Sequence, residues 1–171
     1  PLTAKGREQA RAIAAELKAK APDLSALAYV CSPLPRARTT MEIIRETDGL
    51  PRDGYTTDDR IKEINLGRWD GLTDAEVKAR PELDYEKRMH DKWNVRVPGG
   101  ENYADVVARL ESWIADLKTD TFAVSHGAAT RILRGLFQGL DWKGMSALDE
   151  KQGALYRVRG SDLDRFACVQ P

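Results

Sequence analysis

Apolar residues recur at helical spacing in several stretches of the chain and run unbroken through a few short ones. Thr3 is placed to cap a helix through about Lys20, whose apolar side is Ala10, Ile13, Ala14 and Leu17. Pro22 closes that region, and Ala28-Tyr29-Val30-Cys31 then reads as a buried strand. A turn, Ser32-Pro33-Leu34-Pro35, opens a second helix bearing Ala37, Met41, Ile43 and Ile44. A Gly/Pro/Asp-rich loop over 48–54 leads to a strand-like stretch, Arg60-Ile61-Lys62-Glu63-Ile64. Residues 66–100 are polar, broken by Pro81 and Pro98, and read as helical excursions rather than core. Asn102 caps the most regular helix, with Val106, Val107, Leu110, Trp113, Ile114 and Leu117 forming its apolar stripe. Thr121-Phe122-Ala123-Val124 is a second buried strand, running through Ser125-His126-Gly127 into a helix with Ile132, Leu133, Leu136 and Phe137. Runs from Ala154 to Arg159 and from Leu163 to Val169 read as closing strands around a Gly160-Ser161-Asp162 turn.

Strands alternating with helices predict an α/β fold, a three-layer α/β/α sandwich on a largely parallel sheet. Its 171 residues suit a single domain over 1–171. Lys+Arg and Asp+Glu balance at 27 each, so no basic surplus points to nucleic acid or an anionic membrane as partner. No apolar run approaches the roughly 18 residues of a membrane span. Cys31 and Cys168 read as two reduced thiols of a cytosolic protein, and neither has a second Cys or His at ligand spacing, so zinc is not expected.

In a parallel sheet, ligands gather at the carboxyl ends of strands, and two such junctions carry unusual charge. At the first, Arg36 and Arg38 fall at a helix start that already carries about half a positive charge. Either both arginines face solvent or an anion sits between them and the free N–H groups. At the second, His126 ends a strand and Gly127 starts a helix, where glycine permits close approach and the helix N-terminus favours phosphate. A histidine so placed is structural or functional, and the position beside a glycine favours function. Between them lies Glu63, either a general acid whose pKa burial raises or a surface charge paired with Lys62.

Taken in order, Ser32-Pro-Leu-Pro-Arg36-Ala-Arg-Thr-Thr, Glu63-Ile-Asn-Leu-Gly-Arg-Trp-Asp-Gly71, Pro98-Gly-Gly-Glu-Asn102 and Val124-Ser-His-Gly127 resemble the histidine phosphatase (phosphoglycerate mutase-like) superfamily. The resemblance covers nearly the whole chain from Leu2-Thr3-Ala-Lys-Gly6 onward. It implies a cytoplasmic phosphomonoesterase that needs no metal and no cofactor, in which a phosphoryl group passes from a small phosphorylated substrate to a histidine and then to water. It also implies that Arg36 binds phosphate, His126 neutralises the transferring group and Glu63 protonates the leaving alkoxide. Ser32 and Gly127 are expected at the phosphate, and residues 72–97 are expected to form a lid. Within or near that lid His90, Trp93 and Arg96 are candidates for substrate contacts.

The family's nucleophile belongs to an Arg-His-Gly motif on a first strand upstream of the Leu-Thr-x-x-Gly segment, with which this sequence begins. The one other histidine, His90, lies in polar sequence without strand or glycine context. The expectation is therefore that the first strand is missing from the sequence given. Loss of a central strand from the molecule would leave a row of unpaired backbone groups. Two alternatives stay open: a phosphoglycerate mutase, disfavoured by the short 72–97 segment, and an inactive phosphate-binding or interaction module. A homodimer is possible.

Overall fold

The computed structural model describes residues 2–168. Helix α1 (Ala4–Lys20) starts where the Thr3 hydroxyl accepts the Gly6 N–H at 3.1 Å, and Lys18 and Lys20 in its last turn suit the negative end of the helix. Strand β1 (Ala28–Cys31) feeds helix α2 (Pro35–Thr47), which Pro35 opens because its fixed φ and missing N–H cost nothing in a first turn. Strand β2 (Thr56–Thr57) is brief.

The stretch Arg60–Ile64, expected to be strand-like, is a correction. A 3-10 turn covers Asp59–Ile61, opened by the Asp58 carboxylate on the Arg60 N–H at 2.8 Å, and residues 63–66 have no regular structure. Buried Ile61 and Ile64 stand three residues apart, a spacing that a turn brings to one side and a strand puts on opposite faces. Short helices α3 (Asp74–Lys78) and α4 (Tyr85–His90) occupy the polar middle, as its pattern predicts. They close a small core of Trp69, Val77 and Val97.

Helix α5 (Tyr103–Ala115) begins with a reciprocal cap in which the Asn102 and Asp105 side chains each accept the other's backbone N–H, at 2.8 and 3.0 Å. Strand β3 (Thr121–Val124), helix α6 (Gly127–Phe137) and helix α7 (Trp142–Ala147) follow. Strands β4 (Ala154–Arg159) and β5 (Asp162–Ala167) form an antiparallel ribbon; Val169, placed at the end of that run by its pattern, lies outside the described residues.

Strands β2, β1 and β3 pair in parallel in that order. Alternation along β1 and β3 then builds the layers. Tyr29, Cys31, Phe122 and Val124 pack with α1 and α2, whereas Val30 and Ala123 face the core of α5, α6 and α7. Met41, Ile44, Leu110 and Ile132 are fully buried in these cores, each contributing about 1.5–3 kcal/mol by leaving water. The fold is thus α/β with a mostly parallel sheet and flanking helices. Among the described residues no helix is long and apolar enough to cross a membrane.

Candidate active site

Parallel pairing dictates where the chemistry gathers. Cys31 is in register with Val124, and the Ser32 N–H donates to the Val124 carbonyl at 2.9 Å, so both strands end side by side. Ser32 and His126 are therefore neighbours despite their separation in sequence. His126 Nε2 lies 2.7 Å from Ser32 Oγ, and Arg36, in the first turn of α2, donates from Nε to His126 Nδ1 at 3.0 Å. An arginine has only donors, so Nδ1 must be the unprotonated nitrogen and Nε2 carries the hydrogen toward Ser32. The hydroxyl of Ser32 also accepts the Leu34 N–H at 3.3 Å.

His126 is 7% exposed, and its pKa falls from 6.5 to about 4. Burial is the first cause, with the positive charges of Arg36 and Arg109 adding to it. The imidazole is accordingly neutral at physiological pH. One of its nitrogens is fixed by a buried hydroxyl and the other is shared with an exposed guanidinium.

The helix-end reading needs a correction. The N-terminus of α6, expected to be free for phosphate, is taken by Glu63: its carboxylate accepts the N–H groups of Ala129 at 3.1 Å and Ala128 at 3.4 Å. It also accepts its neighbour's N–H, from Ile64, at 3.0 Å. Glu63 and His126 thus sit together through one helix start. A Cβ on Gly127 would lie 2.9 Å from a Glu150 carboxylate oxygen, the end of a flexible side chain that can give way. Glu150 in turn pairs with Arg131 at 2.7 Å.

Arg36 and Arg38 do not flank a shared site. Residues two apart on a helix point to different sides, and Arg38 turns to the Tyr55 hydroxyl at 3.3 Å. Arg36, Glu63, His126 and Gly127 all line one cleft of about 1100 Å³. Residues of β3 and β4 also line it, as do Ile13 and Leu17 of α1 and Thr130 and Leu133 of α6. His90, Trp93 and Arg96 are not among the residues that line it. His90 is exposed, Trp93 packs against the α5–α6 core, and Arg96 pairs with Asp105 at 2.5 Å. Among the described residues no group of three or more His, Cys, Asp and Glu side chains converges as a metal site.

Arg109 on α5 and its partner Glu101 escape a reading of the sequence for catalytic residues. The legible signal is the glycine pair at 99–100, which brings the turn before α5 against the turn at Gly67. A Cβ on Gly67 would collide with the Pro98 carbonyl and Gly100, and one on Gly100 with the Asn65 carbonyl.

The model of the histidine phosphatase superfamily (branch 1) matches residues 1–169. The chain belongs to that superfamily. A 6-phosphofructo-2-kinase/fructose-2,6-bisphosphatase of Caenorhabditis elegans is 31% identical over 140 residues, covering 80% of this chain and 29% of that protein. An Arabidopsis thaliana protein of the same description is 41% identical over 80 residues, 45% of this chain and 11% of its own length. The chain therefore spans well under a third of these curated relatives. Among solved structures, a mycobacterial glucosyl-3-phosphoglycerate phosphatase in complex with inorganic phosphate matches with a TM-score of 0.66 at 29% identity, covering 85% of this chain and 73% of that one. An alpha-ribazole phosphatase from Shigella flexneri, at 23% identity and a TM-score of 0.77 over 98% of this chain and 83% of its own, shares the fold.

Proposed function

We propose that the chain carries the phosphate-handling site of a phosphomonoester hydrolase that acts on a small phosphorylated metabolite through a phosphohistidine, in the cytoplasm and without a metal. The observation that carries the reading is His126 itself. A neutral imidazole, with its tautomer set by Arg36 and Ser32, stands at adjacent strand ends beside a carboxylate on a helix start. Phosphoryl transfer needs little covalent help beyond a nucleophile, and much positioning and charge on the equatorial oxygens. Arg36 supplies such donors from its terminal nitrogens, and His126 would add one from Nδ1 in its charged form, which an incoming anion favours. The nucleophile in this reading is a histidine distinct from His126, whose two ring nitrogens are already engaged.

In the first step the histidine nitrogen bonds to phosphorus as the ester P–O bond breaks, and protonated Glu63 gives its proton to the departing alkoxide. In the second, Glu63 takes a proton from water as the water oxygen attacks phosphorus and the P–N bond breaks, releasing phosphate. When protonated, Glu63 keeps one oxygen as an acceptor for the α6 N–H groups and has its O–H to turn toward the departing oxygen. Relatives named for glucosyl-3-phosphoglycerate and fructose 2,6-bisphosphate support a sugar-type phosphomonoester.

The test is phosphate release by the full-length protein from a panel of sugar phosphates and phosphoglycerates, beside His126→Ala. Turnover of at least one, lost in the variant, is expected. Conversion of 3-phosphoglycerate to its 2-isomer without free phosphate would make it a mutase instead. Phosphate binding without turnover of any ester would reduce it to a binding module.

A further inference from the structure

Glu63 lies in a segment that has no secondary structure of its own to hold it, since residues 63–66 make neither helix nor strand. Three of its backbone groups nevertheless find partners on the two residues of one ion pair. Arg109 Nη1 donates to the Arg60 carbonyl at 2.5 Å, and Nη2 to the Glu63 carbonyl at 3.3 Å. Glu101 holds the same guanidinium with both oxygens, at 2.9 Å from Nε and 3.2 Å from Nη2. The Glu101 carboxylate also accepts the Asn65 N–H at 2.8 Å, while its own backbone N–H donates to the Asn65 carbonyl at 2.8 Å. The side chains are largely buried, at 17% and 23% exposed. Ser125 completes the bracket from the other side, donating to the Ile61 carbonyl at 2.8 Å.

We propose that the Glu101–Arg109 pair positions Glu63 for proton transfer, acting through the backbone on either side of it. Arg109 is a positioning residue and not a phosphate ligand. It is absent from the residues lining the cleft, and its Nε and both of its terminal nitrogens are committed to carbonyls and to Glu101. A planar fork is the right tool, because one rigid group spans two carbonyls and a carboxylate, which an ammonium point charge cannot do. The geometry also gives the Pro98-Gly99-Gly100-Glu101 turn its purpose. Without side chains at 67 and 100 the two turns meet backbone to backbone, so Glu101 reaches Asn65 directly.

The inference rests on the reading of Glu63 as general acid, and leaving-group chemistry separates the two. An alkyl phosphate needs a proton delivered to its departing alkoxide; p-nitrophenyl phosphate leaves as a stable phenolate and does not. The full-length protein, Arg109→Lys, Arg109→Met and Glu101→Gln are assayed on both glycerol 2-phosphate and p-nitrophenyl phosphate. Misplacement of a catalytic group by about 1 Å can cost ~100-fold, so kcat on the alkyl ester is expected to fall about 10- to 100-fold with KM within about twofold. The two esters are compared in kcat/KM, which reports leaving-group departure and not the later attack of water that Glu63 also assists; in that ratio the aryl ester should lose less than about threefold, because no proton has to reach its leaving group. Glu101→Gln keeps the shape and an acceptor, and it carries the test if the arginine variants unfold by circular dichroism. Parallel losses on both esters, or no loss on either, in an otherwise active protein would overturn the inference alone. A parent protein inactive on both would overturn the phosphatase reading and the inference with it.

Discussion

The buried imidazole of His126 makes a quantitative claim on stability. In the unfolded chain it titrates near 6.5, and in the folded protein at about 4, with desolvation first and the Arg36 and Arg109 charges second as causes. Protonation would also put a hydrogen on Nδ1 against the Arg36 Nε–H, donor against donor at 3.0 Å. Because the folded value is the lower one, the unfolded state binds more protons between the two, and stability falls as pH drops through that window. The contribution is intact above about pH 6.5 and fully lost below about pH 4. The whole shift corresponds to about 3 kcal/mol, and between pH 7.5 and 5.0 the loss from this residue alone is about 2 kcal/mol. Burial leaves little solvent screening to discount it. Urea unfolding at half-unit steps, for the parent and His126→Gln, isolates the effect because carboxylates common to both cancel in the difference. The variant's curve should be flatter by close to one proton per molecule around pH 5. Identical slopes would refute the assignment of a neutral, Arg36-bonded imidazole. Saturating phosphate should also flatten the parent's curve, since an anion beside His126 favours its charged form.

Three further outcomes follow from the same geometry. Arg36→Ala removes charge-assisted contacts of about 1.5–3 kcal/mol, so inorganic phosphate measured by calorimetry should bind about 10- to 100-fold more weakly. Gly67→Ala places a side chain at φ +48° against the Pro98 carbonyl and should cost about 2–4 kcal/mol in urea unfolding, whereas Gly71→Ala, at φ +77° with open space around it, should cost about 1 kcal/mol. Leu110→Ala, fully buried in the α5–α6 core, should lower stability by about 2–5 kcal/mol while phosphate affinity of the folded protein stays unchanged.

Regular elements with a strong period were readable from the residues. Thr3 and Asn102 cap the helices they precede, and the β1 and β3 runs end where their polar neighbours begin, because caps and continuous apolar runs are local signals. The pairing of Arg36 with His126 was readable in part: two strand ends with basic helix starts mark a site, but which arginine turns inward depends on helix phase. What the residues left hidden is what tertiary contacts decide. Arg60–Ile64 has the composition of a strand, yet its carbonyls find Arg109 and Ser125 rather than a neighbouring strand.

That difference explains the site better than a strand would. A strand would have tied the backbone around Glu63 to the sheet and pointed alternate side chains to opposite faces. The loop instead leaves the carboxylate free to reach the start of α6, and an ion pair from α5 holds the backbone in place. A carboxylate that accepts from a helix start when charged and turns its O–H to a leaving oxygen when protonated needs a mobile side chain on a fixed backbone. The glycines at 67 and 100 and the buried Glu101–Arg109 pair provide the fixed part, so precision at Glu63 comes from residues outside the cleft, and catalytic candidates chosen for their place in the cleft leave those residues out.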